Sequence, residues 1–111
     1  MDIAPRTAEQ GLTVPEYLQY LINIQMTSKY LSDKQCLVIV TAMRKFINQC
    51  NLKSADIDTI AKETSILESL RLFFALEQTT VFRTYIKLEA TWIALNLAMG
   101  SVTTIEAICS E

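Results

Sequence analysis

Trp92 and Asn96 lie four residues apart in the stretch KLEATWIALNLAMGS, which covers residues 87–101. Positions i and i+4 of a helix lie one above the other on the same face. A carboxamide can bond to both the N–H and the C=O of an extended peptide, and the stem of a Lys or Arg side chain can lie along an indole. The pair is therefore a candidate peptide-binding site.

The same stretch also has a purely structural interpretation. Leu88, Trp92, Leu95 and Met99 recur at helical spacing and form an apolar stripe, and a Trp in such a stripe usually belongs to a core. Asn96 would then be an exposed or capped polar residue. The pattern by itself leaves a binding surface and a buried core as alternatives.

Residue types exclude several kinds of catalytic and metal site. The chain has 111 residues and no His, which removes Ser-His-Asp and Cys-His catalysis and zinc sites of the Cys/His type. Cys36, Cys50 and Cys109 include no Cys-x-x-Cys pair, and we interpret them as small buried hydrophobes in a reducing compartment. No Gly-rich phosphate loop or calcium-loop spacing occurs. We expect a non-enzymatic protein without cofactor or metal.

Composition and charge narrow the fold and the partners. Half of the residues are hydrophobic, and two Gly and two Pro are too few for the turns of an all-β domain. The formal net charge is −2 without a basic stripe, so we expect no nucleic-acid binding. No run of 18 apolar residues and no apolar N-terminal signal segment occurs, so we expect no membrane contact. The composition predicts an all-α protein with either a large interior or an apolar surface for a partner.

Helix-start signals divide the chain into five helices and the beginning of a sixth, after a tail at residues 1–12 that is expected to be flexible. Several starts are capping boxes, in which Ser or Thr is followed three residues later by Glu or Gln. The segment EQTTVFR is expected to be a linker before the fifth helix, predicted at about 84–99 with Gly100 as its C′ residue. The other predicted starts are Thr13 with Glu16, Ser32 with Gln35 for a helix over about 33–49, Ser54 or Asp56, Ser65 with Glu68, and Thr103 with Glu106.

The helices alternate between short and long, and the second long helix starts about fifty residues after the first. This distance is near the helical-repeat period of about 40–47 residues with a small insertion. Both a helical solenoid fragment and a plain helical bundle fit this order.

From TVPEYLQYLIN to its end, the chain resembles the importin-α family, the armadillo-repeat adaptors of nuclear import. SDKQCLVIVTAMRKFINQ, with its Arg44-Lys45 pair, is similar to the family's first-repeat helix. NLKSADIDTIAKETSILESLRLFF is similar to the linker and two helices that follow, and KLEATWIALNLAMGS to the third helix of the second repeat. The residues of that last motif in register with the family are Glu89, Trp92, Asn96, Ala98 and Gly100.

The resemblance implies an all-α, armadillo-type right-handed helical superhelix fragment over residues 13–111, with about two repeats and the last one incomplete. It also implies binding of the Lys/Arg-rich nuclear localisation signal of a cargo protein, in the cytoplasm and nucleus. In the family, Asn clamps the peptide backbone and Trp walls form slots for basic side chains. The peptide-binding residues implied here are Trp92, Asn96, Glu89 as a secondary charge partner, Gly100 through its carbonyl, and Arg44 as an edge contact.

The chain departs from the family pattern at several positions. Ile105 replaces the Thr of the family's lysine pocket, Met99 replaces the Ser before the Gly, and Gln49 occupies a basic position. The basic N-terminal arm that recruits importin-β is absent, so importin-β binding is not expected. These departures favour a second hypothesis, a small helical scaffold that docks in a homo-oligomer or larger complex through its open C-terminal helix face. A closed five-helix bundle with Trp92 in its core is a third.

Overall fold

The computed structural model describes residues 12–28 and 31–100, together with 105, 106 and 108. These residues are all-helical, as predicted, and include no strand. Residues 105, 106 and 108 are helical, at the position of the predicted last turn, whereas Thr103 and residues 1–11 of the predicted tail lie outside the described residues. The five helices are α1 (Val14–Thr27), α2 (Asp33–Gln49), α3 (Ser54–Glu63), α4 (Ile66–Phe74) and α5 (Val81–Leu97).

The first two helices begin at the predicted capping boxes. The Thr13 hydroxyl accepts a hydrogen bond from the Glu16 N–H at 3.2 Å, and the Glu16 carboxylate accepts one from the Thr13 N–H at 3.0 Å. This backbone bond holds the pKa of Glu16 below its usual value. Ser32 and Gln35 form the same reciprocal pair at 3.1 and 2.8 Å. Each box satisfies backbone donors that a helix start leaves without an intrahelical partner.

The start of α3 uses Asp56, one of its two predicted caps, whereas the start of α4 does not use Ser65. α3 follows Lys53, whose N–H donates to the Asp56 carboxylate at 3.0 Å. Ser65 precedes α4, but its hydroxyl makes no capping bond, and the Thr64 hydroxyl accepts from the Ile66 N–H at 3.2 Å instead. Ser65 has ψ 28°, whereas an N-cap hydroxyl reaches the first turn from extended backbone. The predicted capping role of Ser65 is therefore wrong.

α5 begins at Val81, so the end of the predicted linker is its first turn. Thr80 is the N-cap, and its hydroxyl accepts from the Arg83 N–H at 3.2 Å. The same hydroxyl donates to the Asp33 carboxylate at 2.9 Å, and the Arg83 Nε donates to that carboxylate at 3.2 Å. A contact with the start of α2 therefore accompanies this helix start.

α2 and α5 pack side by side in the same direction. Hydrogen bonds join Asp33 to Thr80 and Arg83 at their starts, and Asn48 to Asn96 at their ends, with sequence separations of 47, 50 and 48 residues. Because start meets start and end meets end, the two helices are parallel.

α1 and α4 form a second parallel pair. The Gln19 side-chain oxygen accepts from the Ser65 N–H at 2.8 Å, and the Gln25 amide donates to the Ser69 carbonyl at 3.3 Å, across 46 and 44 residues. Gln25 also accepts a bond from the buried Ser69 hydroxyl. The second half of the chain thus runs alongside the first half in the same direction.

The apolar core lies between these helices. The Tyr17 and Phe46 rings pack together with centroids 4.6 Å apart, and every described helix contributes buried side chains. Fully buried members include Leu18, Leu21, Ile22, Val40, Met43, Ile60, Ile66, Ile86, Ile93 and Leu97.

Gly100 lies where the end of α5 approaches α3. A Cβ at this position would lie 2.9 Å from Ile57 Cγ2 and 3.0 Å from an Asp58 carboxylate oxygen. Its φ lies outside the left-handed region, so the predicted C′ residue is a glycine because of close packing. The helix itself ends at Leu97 instead of the predicted 99, and tight turns bond the N–H groups of Met99 and Gly100 to carbonyls three residues back.

We expect Gly100→Ala to lower the free energy of unfolding by about 1–3 kcal/mol, because the added methyl overpacks the contact with Ile57. Urea denaturation followed by circular dichroism measures this. Gln49→Ala, at an exposed position at the end of α2, is the control and should change the free energy of unfolding by less than about 0.5 kcal/mol. A Gly100→Ala variant as stable as the wild type would contradict the close approach.

Asp33→Asn should destabilise the protein at neutral pH but much less in acid. The Thr80 hydroxyl and the Arg83 guanidinium hold the pKa of Asp33 below its usual value. Stability from this carboxylate is therefore present above its unfolded pKa, about 3.9, and is lost as the pH falls through the lower folded pKa. Unfolding of both proteins at about pH 7 and pH 3 tests this. An equal loss of unfolding free energy at both pH values would contradict this expectation. Glu63→Gln, at an exposed position on α3, is the control.

Candidate functional site

Trp92 lies on the outer face of α5, with 58% of its surface exposed. The apolar residues that share its predicted stripe are exposed with it, while a different face of the helix meets the core. The interpretation of this stripe as core is therefore wrong, and so is the closed bundle with a buried Trp92. The exposed members are Leu88, Leu95 and Met99, and the core-facing residues of α5 are Ile86, Ala90, Ile93 and Leu97.

Asn96 lies one turn beyond Trp92, at the seam between α5 and α2. Its amide nitrogen donates to the Asn48 side-chain oxygen at 2.9 Å and to the Trp92 carbonyl at 3.0 Å. The carboxamide oxygen is the group that Asn96 can offer to a peptide N–H. A peptide carbonyl would have to displace Asn48 from the amide nitrogen. Asn48 was not among the predicted site residues; it precedes Asn96 by 48 residues.

Arg44 and Glu89 form an ion pair across the same seam, with side chains that are 25% and 21% exposed. The resemblance implies an edge contact for Arg44 and a charge partner for Glu89, but both charges are already paired with each other. Removing one partner would leave the other partly buried without its counter-ion. The pair therefore joins α2 to α5 at the level of the indole.

Each of the two long helices carries one carboxylate, and each carboxylate is paired with an arginine. α2 carries Asp33 and α5 carries Glu89 as their acidic residues, and these pair with Arg83 and Arg44. Lys45, next to Arg44, is exposed. This surface therefore offers an indole and an amide to a basic peptide, with little electrostatic attraction from its own helices.

A small cavity of about 150 Å³ adjoins Asn96 at the end of the seam. Asn48, Asn51 and Asn96 form its polar side, and Ile57 and Met99 belong to its apolar side. It is smaller than the roughly 300–1,000 Å³ of typical small-molecule sites. The cavity suits one side chain of a guest peptide better than a cofactor.

Gly100, the remaining predicted site residue, packs against the start of α3 near this cavity. Its close contacts with Ile57 and Asp58 show a packing role for its missing side chain. Ile105 is also exposed.

A second, more apolar groove of about 380 Å³ lies between α4 and α5. Leu67, Leu70, Phe74 and Ala94 line it, together with Ile108. Its lining is mostly apolar, whereas the prediction of an open C-terminal helix face named no residues and stays a prediction.

Cys36 and Cys50 are partly buried rather than fully buried. Burial raises the pKa of both thiols, and the Asp33 carboxylate raises that of Cys36 further. At neutral pH both thiols stay protonated, and a protonated thiol is a poor nucleophile. Cys109 lies outside the described residues.

The described part of the chain contains neither a metal-binding cluster nor a helix able to span a membrane. No group of three or more Cys, Asp or Glu side chains there is arranged to hold a metal ion. No helix among these residues is long and apolar enough to cross a membrane.

No protein-family model matches the chain, and no curated protein or solved structure is significantly similar to it.

A double-mutant cycle on Arg44→Met and Glu89→Gln tests the cross-helix pair. Each single change should cost about 1–2 kcal/mol of unfolding free energy, and the double variant should cost less than their sum. The exposed pair Glu68 and Arg71, three residues apart on α4, is the control, with an expected coupling of about 0.5 kcal/mol or less. Additive effects at Arg44 and Glu89 would show that the pair does not join the helices.

Proposed function

We propose that the chain is a non-enzymatic binding module of the armadillo type, related to importin-α, that holds an extended Lys/Arg-rich peptide against α5. The observation that carries the proposal is the exposure of the Trp92 indole, with the Asn96 carboxamide one turn beyond it. An exposed indole on a helix surface is costly to leave in water, and it suits the aliphatic stem of a long basic side chain.

The two parallel helix pairs support the armadillo class. Equivalent helices of stacked repeats lie side by side in the same direction, one repeat length apart. α1 and α4 are offset by 44–46 residues, and α2 and α5 by 45–50. A bundle with short loops would instead make sequential helices antiparallel neighbours. In this proposal α3 is the short first helix of the second repeat.

Recognition would combine one backbone clamp with one stacking surface. The Asn96 oxygen accepts a peptide N–H, and the Trp92 indole packs along a Lys or Arg stem. One such pair of Trp and Asn contributes about 1–3 kcal/mol of binding free energy. This is small compared with the cost of immobilising a peptide. Arg44 already neutralises Glu89, so charge adds little. For a single pair of Trp and Asn we expect a dissociation constant of about 1 mM or larger.

In this proposal the protein acts in nuclear protein import, in the cytoplasm and nucleus, and the peptide belongs to a cargo protein.

The second candidate function is a helical scaffold or structural subunit without cargo binding. The groove between α4 and α5 favours it, because Leu67, Leu70 and Phe74 form an apolar surface there that a partner helix would cover. The neutralised carboxylates of α2 and α5 also favour it over basic-peptide binding.

Titration of a fluorescently labelled Lys/Arg-rich peptide into the chain tests the first candidate. We expect weak saturable binding, about 5- to 10-fold weaker in Trp92→Ala because about 1 kcal/mol of stacking is lost. Asn96→Ala should also weaken binding by removing the clamp.

Tyr20→Ala is the matched control, because Tyr20 is an exposed aromatic residue on α1, outside the α2–α5 surface. An acidic peptide of equal length controls for nonspecific attraction. Equal affinity of the wild type and Trp92→Ala for the basic peptide would reject peptide binding at this surface and favour the scaffold.

A further inference from the structure

Six apolar side chains form one continuous exposed stripe along α5 and its C-terminal turn, here called the α5 stripe. Each member is 52–67% exposed. The spacing alternates four and three residues, which is the a/d pattern of a helix that packs lengthwise against another helix. The members are Val81, Tyr85, Leu88, Trp92, Leu95 and Met99.

The α5 stripe is large for an exposed surface and contains no charge. Its exposed area is about 600 Å², whereas the largest apolar patch of a typical monomer is about 300–600 Å². A specific interface buries about 800 Å² on each partner. The stripe and its immediate flanks therefore have the size of one side of a stable protein–protein contact.

We propose that a second copy of this chain covers the α5 stripe, with the two α5 helices antiparallel about a two-fold axis that crosses the stripe midway between Leu88 and Trp92. The spacing of the stripe reads the same from both ends, so this axis pairs Leu88 with Trp92 between the copies. The same axis pairs Tyr85 with Leu95 and Val81 with Met99. A two-fold interface must be complementary to itself, and this stripe meets that requirement along its full length.

The flanks of the stripe permit the two copies to approach. Thr84, Thr91 and Ala98 lie along one side and are small and uncharged. On the other side lies Glu89, whose carboxylate is neutralised by Arg44 of the same chain. The two-fold axis therefore does not bring two unpaired Glu89 carboxylates together, which would oppose association.

The α5 stripe is longer than the single Trp92 stack that a basic peptide would use, and a second copy would cover its full length. A Lys/Arg-rich guest would leave most of the stripe against strongly hydrated side chains, whereas an identical stripe buries apolar surface on both partners. The interface covers Trp92, so dimerisation excludes any guest peptide there. The inference does not depend on the proposed peptide binding, and its face differs from the groove between α4 and α5.

Sedimentation equilibrium of the full chain, at protein concentrations from about 1 µM to about 1 mM, tests the proposal. We expect a concentration-dependent rise from 12.6 kDa to twice that mass. Leu88→Glu places two like charges near the axis and should weaken dimerisation at least 100-fold, whereas Tyr20→Glu on α1 should not change it. Glu is a good helix former, and circular dichroism confirms that both variants fold.

Fluorescence gives a second readout, because Trp92 is the single Trp of the chain. Its emission should shift to shorter wavelength as the concentration of the wild type rises, and the shift should be absent in Leu88→Glu.

Disulfide cross-linking tests the antiparallel register. A mixture of Tyr85→Cys and Leu95→Cys chains should give far more cross-linked dimer than either variant alone, with the oxidised wild type as background. Preferential cross-linking of either variant to itself would overturn this register.

A single 12.6 kDa species at every concentration would overturn the dimer. So would a larger oligomer, or a dimer that Leu88→Glu leaves intact. A monomer that binds the basic peptide through Trp92 would assign the stripe to a guest peptide, and this result would overturn the dimer while leaving the proposed function in place.

Discussion

The structure depends on the parallel packing of α2 against α5. Two parallel helices cannot be joined by a short turn, because the chain must first return along the full length of the helix. α3 and α4 provide that return, and α4 pairs with α1 as it does so. Apolar burial between the helices is non-directional, so it does not fix how far one slides along the other. Asp33 with Arg83, Arg44 with Glu89, and Asn48 with Asn96 fix that register at its start, middle and end.

Capping signals in the sequence predicted the helix starts that depend only on hydrogen bonds between residues close in sequence. The capping boxes at Thr13 and Ser32 satisfy backbone donors within one turn, so the starts of α1 and α2 were predicted correctly. The start of α5 was not, because the Thr80 cap also bonds to Asp33, 47 residues away. The residues of EQTTVFR, the predicted linker, could not reveal that contact.

The candidate site shows the same limit. α5 has two apolar faces, one at the core and one in solvent, and hydrophobic periodicity cannot tell which face is buried. The core alternative for Trp92 therefore fitted the pattern, although the indole is exposed. The partners of the site residues were missed for a related reason. The fold brings together Arg44 with Glu89 and Asn48 with Asn96, which are 45 and 48 residues apart in the sequence. Only an alignment of the chain with itself at such a shift would place these residues opposite each other.

The contacts that fix the register also determine what the surface can attract. Arg44 and Arg83 hold the two long helices together by neutralising Glu89 and Asp33, the acidic residues of those helices. An electrostatic funnel for basic peptides needs unpaired carboxylates beside the indole, and here the same carboxylates are committed to the fold. What remains exposed is apolar area and one carboxamide oxygen. Charge therefore contributes little to partner choice at this face, and apolar shape along α5 contributes most, whether the partner is a peptide or a second copy.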